Sequence, residues 1–534
     1  MVGRRSEFLG RSLLILLALY GLVFAIGDLY LAHAQAPLWS AIVFVVVVIG
    51  IQYLTAPWLI QLVLAIDFTE ELPARNREFV EHLCAERGLK VPRIGIIRSG
   101  TPNAFSFGHV PGNSRVVVTT GLLEVLSPEE TNAVLAHEIG HIEHWDFVVM
   151  TIAALAPLLL YQIYVFTQNV NKLRAVAYTA YLSYWVSQFT LLLLNRTREY
   201  FADHYAAEVT HAPGALSSAL VKIAYGMIRA DGEYQKAMQR DSGADKQHYR
   251  RERRLAGGLA VMGISNLRSG SSLVLTGANP AEAAAVMRWD LINPWARLYE
   301  LSSTHPLTAL RVRALNQDAM TMQQAIQCPL PAGRRQGWAR FVLEVLLWAA
   351  PWLAAAALAA SRGIPDLYGF PYFHLADQTA ALLLLFTGLS WMLRIWYRYH
   401  GKFEHANIGT LLEDVEVSQM RPRAVRIKGS VVGRGLPGAF WSPDLVVRDA
   451  TGMIFMLYRQ SIPLARLLFG ATEAEEYIGQ EVVLEGWFRR GLAPYVEMNK
   501  LTGKSGTHRT YSRWIQYALA SIAVGVAFRW LGVL

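Results

Sequence analysis

Residues 127–171 read SPEETNAVLAHEIGHIEHWDFVVMTIAALAPLLLYQIYVFTQNVN, and this stretch joins a polar helix to a membrane segment. Ser127-Pro128-Glu129-Glu130 is typical of a helix start, with serine as the N-cap, proline in the first turn and glutamate at the capping-box position. We expect this helix to run through His141 towards the membrane. Phe147–Asn171 contains no Asp, Glu, Lys or Arg, and a bilayer needs about 20 apolar residues per helix. The stretch therefore predicts a histidine-bearing helix that ends where a membrane span begins.

Apolar runs of this kind recur along the chain. The 534 residues are 53% hydrophobic, with a mean hydropathy of +0.25, and both values are high for a soluble protein. We predict a multi-pass α-helical membrane protein with about seven spans. The runs are Ser12–Gly27, the block Leu29–Ile66 that continues it, Phe147–Asn171, Ala175–Asn195, Arg340–Ser361, Gln378–Tyr397 and Trp514–Leu534.

Two of these runs keep a second interpretation. Arg529 interrupts the last run, so that segment either spans the membrane or lies at its interface. Gly3–Arg11, followed by an apolar run and Ala32-His33-Ala34, also resembles a secretory signal. Cleavage there would leave the downstream domain on the same side of the membrane.

The distribution of basic residues predicts the orientation. The net charge is +9, and Lys and Arg are frequent before the first span, in 196–340 and in 394–513, whereas the opposite loops are poor in them. The positive-inside rule places these basic segments in the cytoplasm. Cys84 and Cys328 fall in these segments and imply no disulfide framework. We expect the inner (cytoplasmic) membrane of a bacterium, with the lipid bilayer itself as a partner.

Changes in composition along the chain predict five segments. These are an N-terminal membrane hairpin (1–66), an α+β domain (67–338) that includes a membrane hairpin (147–195), a third membrane hairpin (339–400), a β domain (401–510) and a terminal transmembrane or interfacial helix (511–534). In the second part, Leu72–Arg87 is expected to be helical, and strands Asn103–Phe107 and Arg115–Thr120 are expected to join through Pro111-Gly112-Asn113.

The β domain shows alternating apolar residues between turn sequences. Five short strands predict a small OB-like barrel. They are Ala424–Val432, Asp444–Val447, Met453–Tyr458, Val482–Phe488 and Tyr495–Met498.

The motif that carries chemistry is HExxH at His137–His141. On a helix the two histidines lie one turn apart on one face, so both imidazoles reach one ion. Glu138 lies beside them and is a candidate general base for a metal-bound water. Zinc is the expected ion, one per chain, although two histidines and a carboxylate also suit iron or manganese.

A catalytic zinc needs a third protein ligand, and Glu199 is the candidate. It follows the Ala175–Asn195 run by four residues, while His141 precedes Phe147–Asn171 by about five, so the hairpin between them brings both to the membrane surface. Asp203 lies one helical turn after Glu199 and is expected to bind the other nitrogen of a ligating histidine. His144 and His204 are not expected to be ligands.

Several motifs, in order, resemble the HtpX/Ste24 (M48) family of membrane zinc peptidases, and HtpX more than Ste24. They cover roughly 67–315 and are Asn103-Ala104-Phe105, Val118-Thr119-Thr120-Gly121-Leu122-Leu123, His137–His141, Arg198-Glu199-Tyr200-Phe201-Ala202-Asp203 and Ser303-Thr304-His305-Pro306 with Arg311. The chain departs from HtpX-like proteins because a membrane hairpin, a β domain and a hydrophobic run follow the His-Pro motif.

The resemblance implies a mainly α, α+β gluzincin-like peptidase domain with His137, His141 and Glu199 as zinc ligands and Glu138 as the base. It implies that the edge strand at Asn103, Ala104 and Phe105 pairs with the substrate backbone. His305 and Arg311 would stabilise the transition state or support the site structurally. Expected substrates are membrane proteins or membrane-proximal segments, cleaved at the cytoplasmic face in protein quality control. The sequence leaves open whether the chain forms a homo-oligomer.

Two other functions are compatible with parts of the sequence. In a membrane scaffold with an inert or structural zinc site, the β domain would bind a protein or nucleic acid through Arg423, Arg426, Lys428 and Arg434, near Trp441 and Phe455. Solvent or lipid headgroups facing the arginines are the plainer explanation, which argues against a nucleic-acid partner. A transporter would need charges inside the membrane, and the spans offer mainly Asp28 and Glu344, near their ends.

Overall fold

The computed structural model describes residues 38–64, 66–99, 102–223, 274–275, 280–330, 337–361, 376–434, 443–491 and 494–533. The expected first span Ser12–Gly27, the signal-like Gly3–Arg11, Asp28 and Trp441 lie outside these residues. The described chain forms two compact units by its internal contacts. One contains residues 38–223 and 299–330, and the other contains 274–298 and 337–533.

The elements up to residue 223 build most of the first unit. They are α1 (Leu38–Leu64), α2 (Ala74–Glu86), β1 (Arg93–Ile97), β2 (Ala104–Gly108), β3 (Ser114–Thr119), α3 (Thr120–Val125), α4 (Pro128–Glu143), α5 (Asp146–Thr167), α6 (Arg174–Thr210) and α7 (213–223).

The elements that follow include the last helix of the first unit and all of the second. They are β4 (Val274–Leu275), α8 (Pro280–Ile292), α9 (Pro294–Leu301), α10 (Thr308–Thr321), α11 (Trp338–Ser361), α12 (Asp377–Arg398), β5 (Glu404–His405), α13 (Ile408–Leu412), β6 (Arg423–Arg434), β7 (Leu445–Arg448), β8 (Gly452–Leu457), α14 (Pro463–Thr472), β9 (Glu481–Arg489), β10 (Tyr495–Gly503), β11 (Gly506–Arg509) and α15 (Ser512–Trp530).

Four described helices are long and apolar enough to cross a membrane by length and composition. The segments are Ile42–Leu62, Asp146–Thr167, Trp338–Ser361 and Asp377–Arg398. The Ala175–Asn195 run is helical but does not belong to this set, because its serine, glutamine and tyrosine residues lower its mean hydropathy. The terminal helix α15 does not belong to it either, since it includes Arg513, Gln516 and Arg529.

In the first unit, α4 forms the centre of the core. Its start is the predicted capping box, because Ser127 Oγ accepts from Glu130 N at 3.2 Å and Glu130 Oε2 accepts from Ser127 N at 2.8 Å. The helix packs against α2, α6 and the three-stranded sheet, in which β3 lies between β1 and β2. The predicted strands around Pro111–Asn113 are confirmed as the antiparallel pair β2 and β3.

Helices α5 and α6 form an antiparallel hairpin that returns the chain to α4. Tyr164 packs against Tyr181 at a ring-centroid distance of 4.8 Å, and Tyr161 packs against Tyr184 at 5.5 Å. Helix α6 is continuous for 37 residues, or about 55 Å. The predicted membrane segment and the Glu199 motif therefore lie on one continuous helix, so the position of the hairpin determines the position of Glu199.

In the second unit, the five predicted strands are confirmed as β6 to β10. Antiparallel pairs join β6 to β7, β7 to β8, β10 to β9 and β9 to β6, and a parallel pair between β8 and β10 closes the barrel. Short strands β4, β5 and β11 extend its edges. Alternate side chains of β6 and β9 are buried inside, as a barrel of this size requires.

Residues 280–298 pack within this second unit, although the sequence placed them in the 67–338 domain. Trp289 Nε1 donates to Val417 O at 2.8 Å, and Arg490 Nη2 donates to Val286 O at 2.7 Å. Glu344 on α11 is buried and accepts from Trp295 Nε1 at 2.6 Å and Ser418 Oγ at 2.7 Å. This carboxylate anchors neighbouring segments, which does not favour the transport role.

Candidate metal centre

The HExxH residues lie on α4, buried at the centre of the first unit. His137 Nε2 and His141 Nε2 are 3.2 Å apart, so the two imidazoles point at one place. Glu138 lies beside His137 and is also buried. Local helix geometry alone accounts for this arrangement, because residues i and i+4 share a face.

Glu199 on α6 completes the group. Its Oε2 lies 3.8 Å from His137 Nε2, and its Oε1 lies 3.7 Å from His141 Nε2. Among the described residues, these three side chains form the group whose ligand atoms all lie within 4.8 Å of one another. The structure therefore brings together the three predicted ligands from two separate helices.

Gly140 allows α6 to approach α4 this closely. A Cβ atom built at Gly140 would lie 2.9 Å from Tyr205 Cδ1 and 3.5 Å from Ala202 Cα. Any side chain there would push α6 away from α4. Gly140 occupies a variable position of HExxH, and glycine is required there by the packing of α6 against α4.

Each histidine contacts a different carboxylate through its other ring nitrogen. His137 Nδ1 lies 3.1 Å from Asp203 Oδ1, as the sequence predicted for Asp203. His141 Nδ1 donates to Asp146 Oδ2 at 2.5 Å, and Arg198 Nε lies 2.7 Å from Asp146 Oδ1. Both imidazoles thus have their Nε2 atoms free to face an ion.

The contact between Asp146 and His141 was not predicted from the sequence. Trp145, at φ 59°, separates α4 from α5 and turns the chain so that the first residue of α5 faces back. An acidic residue at the start of a helix that directly follows HExxH is the signal that could have identified it. The orientation of that helix, however, depends on the hairpin.

Arg311 and His305 approach the same carboxylates from the C-terminal part of the unit. Arg311 is buried and donates to both oxygens of Asp203, at 2.7 and 2.6 Å, while its Nη1 lies 3.4 Å from Glu199 Oε2. His305 Nδ1 lies 3.2 Å from Glu199 Oε2. Of the two roles considered for Arg311, these contacts support the structural one, since its donors are occupied by carboxylates.

The loop that carries His305 is held by the helix that carries Glu199. Asn195 Nδ2 donates to Thr304 O at 2.7 Å, and Arg196 Nη1 donates to Ser303 O at 3.1 Å. Arg196 also donates to Glu300 O. The Ser-Thr-His-Pro motif and the Arg-Glu-Tyr-Phe-Ala-Asp motif are therefore parts of one hydrogen-bonded arrangement.

The electrostatics keep the acidic groups ionised although they are buried. Burial alone would raise the pKa of Glu199, but His305, Arg311 and His141 lower this pKa well below its usual value. Burial likewise opposes charge on Asp203, and Arg311 and His137 outweigh it and lower its pKa. Burial lowers the pKa of His141. The hydrogen bond to Asp146 and the charges of Glu199 and Glu138 outweigh this effect, so the pKa of His141 is raised overall.

The remaining predicted residues lie at different distances from this centre. Ala104 and Phe105 are on β2, which has β3 as its neighbour in the sheet, and Asn103 directly precedes it. All three residues are at least 95% buried, so the outer edge of this strand is covered. His204 pairs with Asp318 at 3.2 Å, and His144 packs edge-on against Tyr205 at 5.7 Å. Neither belongs to the group of three ligands.

A helix-borne HExxH pair, a glutamate from a second helix and two carboxylate-held imidazoles define a metal-dependent hydrolase. The sequence profile of peptidase family M48 matches residues 72–319. A protease HtpX homolog of Methanothermobacter thermautotrophicus is 36% identical over 219 residues, covering 40% of this chain and 84% of that protein. A second, from Moorella thermoacetica, is 36% identical over 232 residues, covering 39% and 76%.

The chain therefore belongs to peptidase family M48. With four helices able to cross a membrane, it is a membrane metalloprotease. The crystal structure of S. mikatae Ste24p is similar over 57% of this chain and 64% of that chain, with 18% identity and a TM-score of 0.36. Residues after 319, including the β-barrel, lie outside the family match.

Proposed function

We propose that this chain is a zinc-dependent endopeptidase that cleaves membrane proteins, or segments emerging beside the membrane, at the cytoplasmic face. The observation that carries the proposal is the spacing of the three ligand atoms, 3.2, 3.7 and 3.8 Å. Two nitrogens bound to one tetrahedral zinc lie about 3.3 Å apart, given ligand distances of ~2.0–2.1 Å. The donor set of two histidines and one glutamate also matches zinc hydrolases.

One ion per chain would be held by His137, His141 and Glu199. When bound, it supplies Lewis-acid polarisation of the scissile carbonyl and lowers the pKa of a water molecule. Glu138 accepts the proton of that water and delivers it to the leaving amine. Asp146 and Asp203 hold the imidazoles in the tautomer that presents Nε2, and Arg311 holds Asp203 in turn.

His305 is placed to act beside this carboxylate. Its side chain is 12% exposed, and its Nδ1 lies 3.2 Å from Glu199 Oε2, so the ring contacts the ligand carboxylate while part of it stays accessible. We assign it a role in positioning Glu199 and in stabilising the oxyanion. Substrate pairing with Asn103, Ala104 and Phe105 would use the edge of β2 opposite β3, and this edge has to become accessible first, because all three residues are at least 95% buried.

The test is casein cleavage by the purified protein in detergent after zinc is returned to metal-stripped samples. Glu138→Gln keeps the shape of the side chain and removes the base. We expect ~10²–10⁴-fold slower cleavage with unchanged zinc content. The matched control is Glu129→Gln, since Glu129 is exposed in the first turn of the same helix. Cleavage by Glu138→Gln at the wild-type rate would refute the assignment.

The cytoplasmic orientation follows from the distribution of Lys and Arg and has its own test. Lys172 lies in the turn between α5 and α6, and Thr507 is exposed in the barrel unit. Because Cys84 and Cys328 are buried, a single introduced cysteine reports its own accessibility. We expect a membrane-impermeant thiol reagent to label Lys172→Cys in intact cells and Thr507→Cys only after lysis. The opposite pattern would invert the proposed orientation.

We propose further that the barrel is of the OB type and either selects substrates or serves as a docking module for the catalytic domain. If strands β6 to β10 are numbered 1 to 5, they pair in the order 1-2-3-5-4-1, and strands 3 and 5 are parallel. Helix α14 lies between strands 3 and 4 in the chain, and this topology supports an OB arrangement. For the rival nucleic-acid role, Arg423, Arg426 and Arg434 are paired with Asp414, Glu485 and Glu475 at 3.3, 2.7 and 2.9 Å. Salt-sensitive oligonucleotide binding by a 401–503 fragment would favour that rival.

Quality control of damaged membrane proteins is the physiological role that we propose from the family. It predicts that the wild-type protein degrades misfolded membrane proteins in cells while Glu138→Gln accumulates them uncleaved.

A further inference from the structure

The second unit contains a polar cavity of about 490 Å³ at the end of a candidate membrane span. Arg398, the last residue of α12, and Ser512, the first residue of α15, line it. Arg459, which follows strand β8, and Arg466, on helix α14, line it as well. Because the span of α12 ends at Arg398, the cavity lies at the depth of lipid headgroups rather than of acyl chains.

The charges in this cavity favour an anion. Glu497 also lines it, but this carboxylate is already bound by Arg489 Nε at 2.8 Å and Tyr399 OH at 2.6 Å. Asp444 is the other acidic residue of the lining, which therefore contains three arginines, Arg398, Arg459 and Arg466, and two carboxyl groups. Among the described residues, neither Arg459 nor Arg466 has a carboxylate oxygen within 4.0 Å.

The surface beside the cavity is apolar. Helix α14 starts at the cavity, since Ser461 Oγ lies 2.9 Å from Ser512 Oγ just before the helix begins. Leu464, Leu467 and Leu468 lie on one face of α14 and are 64%, 47% and 52% exposed. Ile462 adjoins them at 52%, while Phe469, on the opposite face, is buried against Tyr458. Water is an unfavourable neighbour for four large aliphatic side chains.

The fold positions this apolar face at a membrane boundary. Helix α15 packs along α12, where a Cβ atom at Gly388 would lie 2.7 Å from Val524 and 3.0 Å from Ala520 O. Both helices therefore run together away from the cavity. A basic cavity at the end of a membrane helix, bordered by an exposed aliphatic helix, has the chemistry of an anionic phospholipid site.

We propose that the barrel unit binds an anionic phospholipid, with its phosphate in the cavity between Arg459 and Arg466 and its acyl chains against Leu464, Leu467 and Leu468. This site is separate from the metal centre, and its occupancy is measured without peptidase activity. The lipid fixes the orientation of the barrel on the bilayer surface.

The experiment measures thermal unfolding of the full chain in neutral detergent during titration with phosphatidylglycerol, phosphatidylcholine or inorganic phosphate. We expect phosphatidylglycerol alone to raise the melting temperature in a saturable way. The double variant Arg459→Gln with Arg466→Gln should weaken its apparent affinity about 30-fold, which corresponds to ~1 kcal/mol per arginine. The matched control, Arg423→Gln with Arg426→Gln, removes two barrel arginines that already have carboxylate partners and should retain the affinity.

Equal stabilisation by phosphatidylcholine, or undiminished affinity in the double variant, would overturn the proposal. A full effect from inorganic phosphate would make the cavity a free-phosphate site and exclude the lipid assignment. For the apolar face, a fluorophore on Leu467→Cys in nanodiscs should be quenched by a lipid-attached quencher more than by iodide. A fluorophore on Lys428→Cys, exposed on strand β6, serves as the comparison. Preferential iodide quenching at Leu467 would show that α14 faces water or another protein.

Discussion

Glu199 and Glu497 are both buried glutamates beside arginines, yet their partners lie at different distances. Glu497 accepts direct hydrogen bonds at 2.6 Å from Tyr399 and 2.8 Å from Arg489. The ion-pair partners of Glu199 lie at 3.2 to 3.8 Å, and two of them are imidazole Nε2 atoms that also face each other. Direct contacts complete the coordination of a buried charge, whereas a wider ring of donors leaves space at its centre.

A structural ion pair and a metal centre differ in how they compensate a buried charge. A structural pair satisfies its own charges, because an unpaired buried charge is strongly destabilising. A metal centre directs lone pairs at one point and places the compensating donors behind the ligands. In this chain, Asp146 and Asp203 stand behind the histidines, whereas the arginine at Glu497 contacts the carboxylate itself.

The largest expected effect comes from removing the metal. Chelation should reduce casein cleavage to background, because only the Glu199 centre depends on an ion. Returning zinc should restore cleavage and stabilise the first unit by ~2.7 kcal/mol at a free concentration 100 times the dissociation constant. The measurement is activity and melting temperature against free zinc. Full activity in the stripped protein would remove the distinction between the two glutamates.

Replacing Glu497 by Gln should have the opposite profile. It leaves Arg489 and its neighbours without their buried counter-charge, so the barrel unit should lose ~3–5 kcal/mol of stability. Zinc content and the rate of cleavage per folded molecule should stay unchanged. The control is Glu475→Gln, since Glu475 is an exposed partner of Arg434 and should contribute ~0–1 kcal/mol.

Acid should destabilise the barrel unit through the same residue, Glu497. Burial opposes ionisation of Glu497, but Arg489, Arg398 and Arg459 lower its pKa to about 2 from 4.5. Because the folded pKa is the lower one, its stabilising contribution is complete above pH ~4.5 and is lost as the pH falls towards ~2. Denaturation followed by tryptophan fluorescence should show this loss in the wild type and a flatter pH dependence in Glu497→Gln. An identical acid dependence would assign the transition to other carboxyl groups.

The smallest expected effect concerns zinc affinity and tests Asp146, the carboxylate that contacts the ligand His141. Asp146→Asn should weaken zinc binding about 10–100-fold, because the amide no longer fixes the tautomer of His141. Competition with a chromophoric chelator measures this directly. Asp318→Asn is the matched control, since Asp318 pairs with the exposed His204 and should leave zinc affinity unchanged. Equal affinities in both variants would make Asp146 a helix-start residue without a role at the site.

Those parts of the fold and the metal centre that depend on residues close together in the sequence could be predicted. The capping box at Ser127, the one-turn spacing of His137 and His141 and the alternation in β6 to β10 depend on neighbours a few residues away. The membrane hairpin also predicted correctly that Glu199 would return to His141, because two antiparallel apolar runs of similar length, Phe147–Asn171 and Ala175–Asn195, bring their outer ends together. Ala175–Asn195 is helical, as predicted, but it is less apolar than the four candidate spans, so its role as a membrane span stays a prediction.

The sequence by itself determined the peptidase motif, the membrane helices around it and the strands of the barrel, since periodicity and short spacings encode them. Only the tertiary structure decided that Asp146 faces His141, that Arg311 binds Asp203, and that β8 pairs in parallel with β10. It also brought Arg459 and Arg466 to the end of a membrane helix. These contacts join residues whose separation in the chain, or whose direction after a turn, depends on the packing of whole helices and strands.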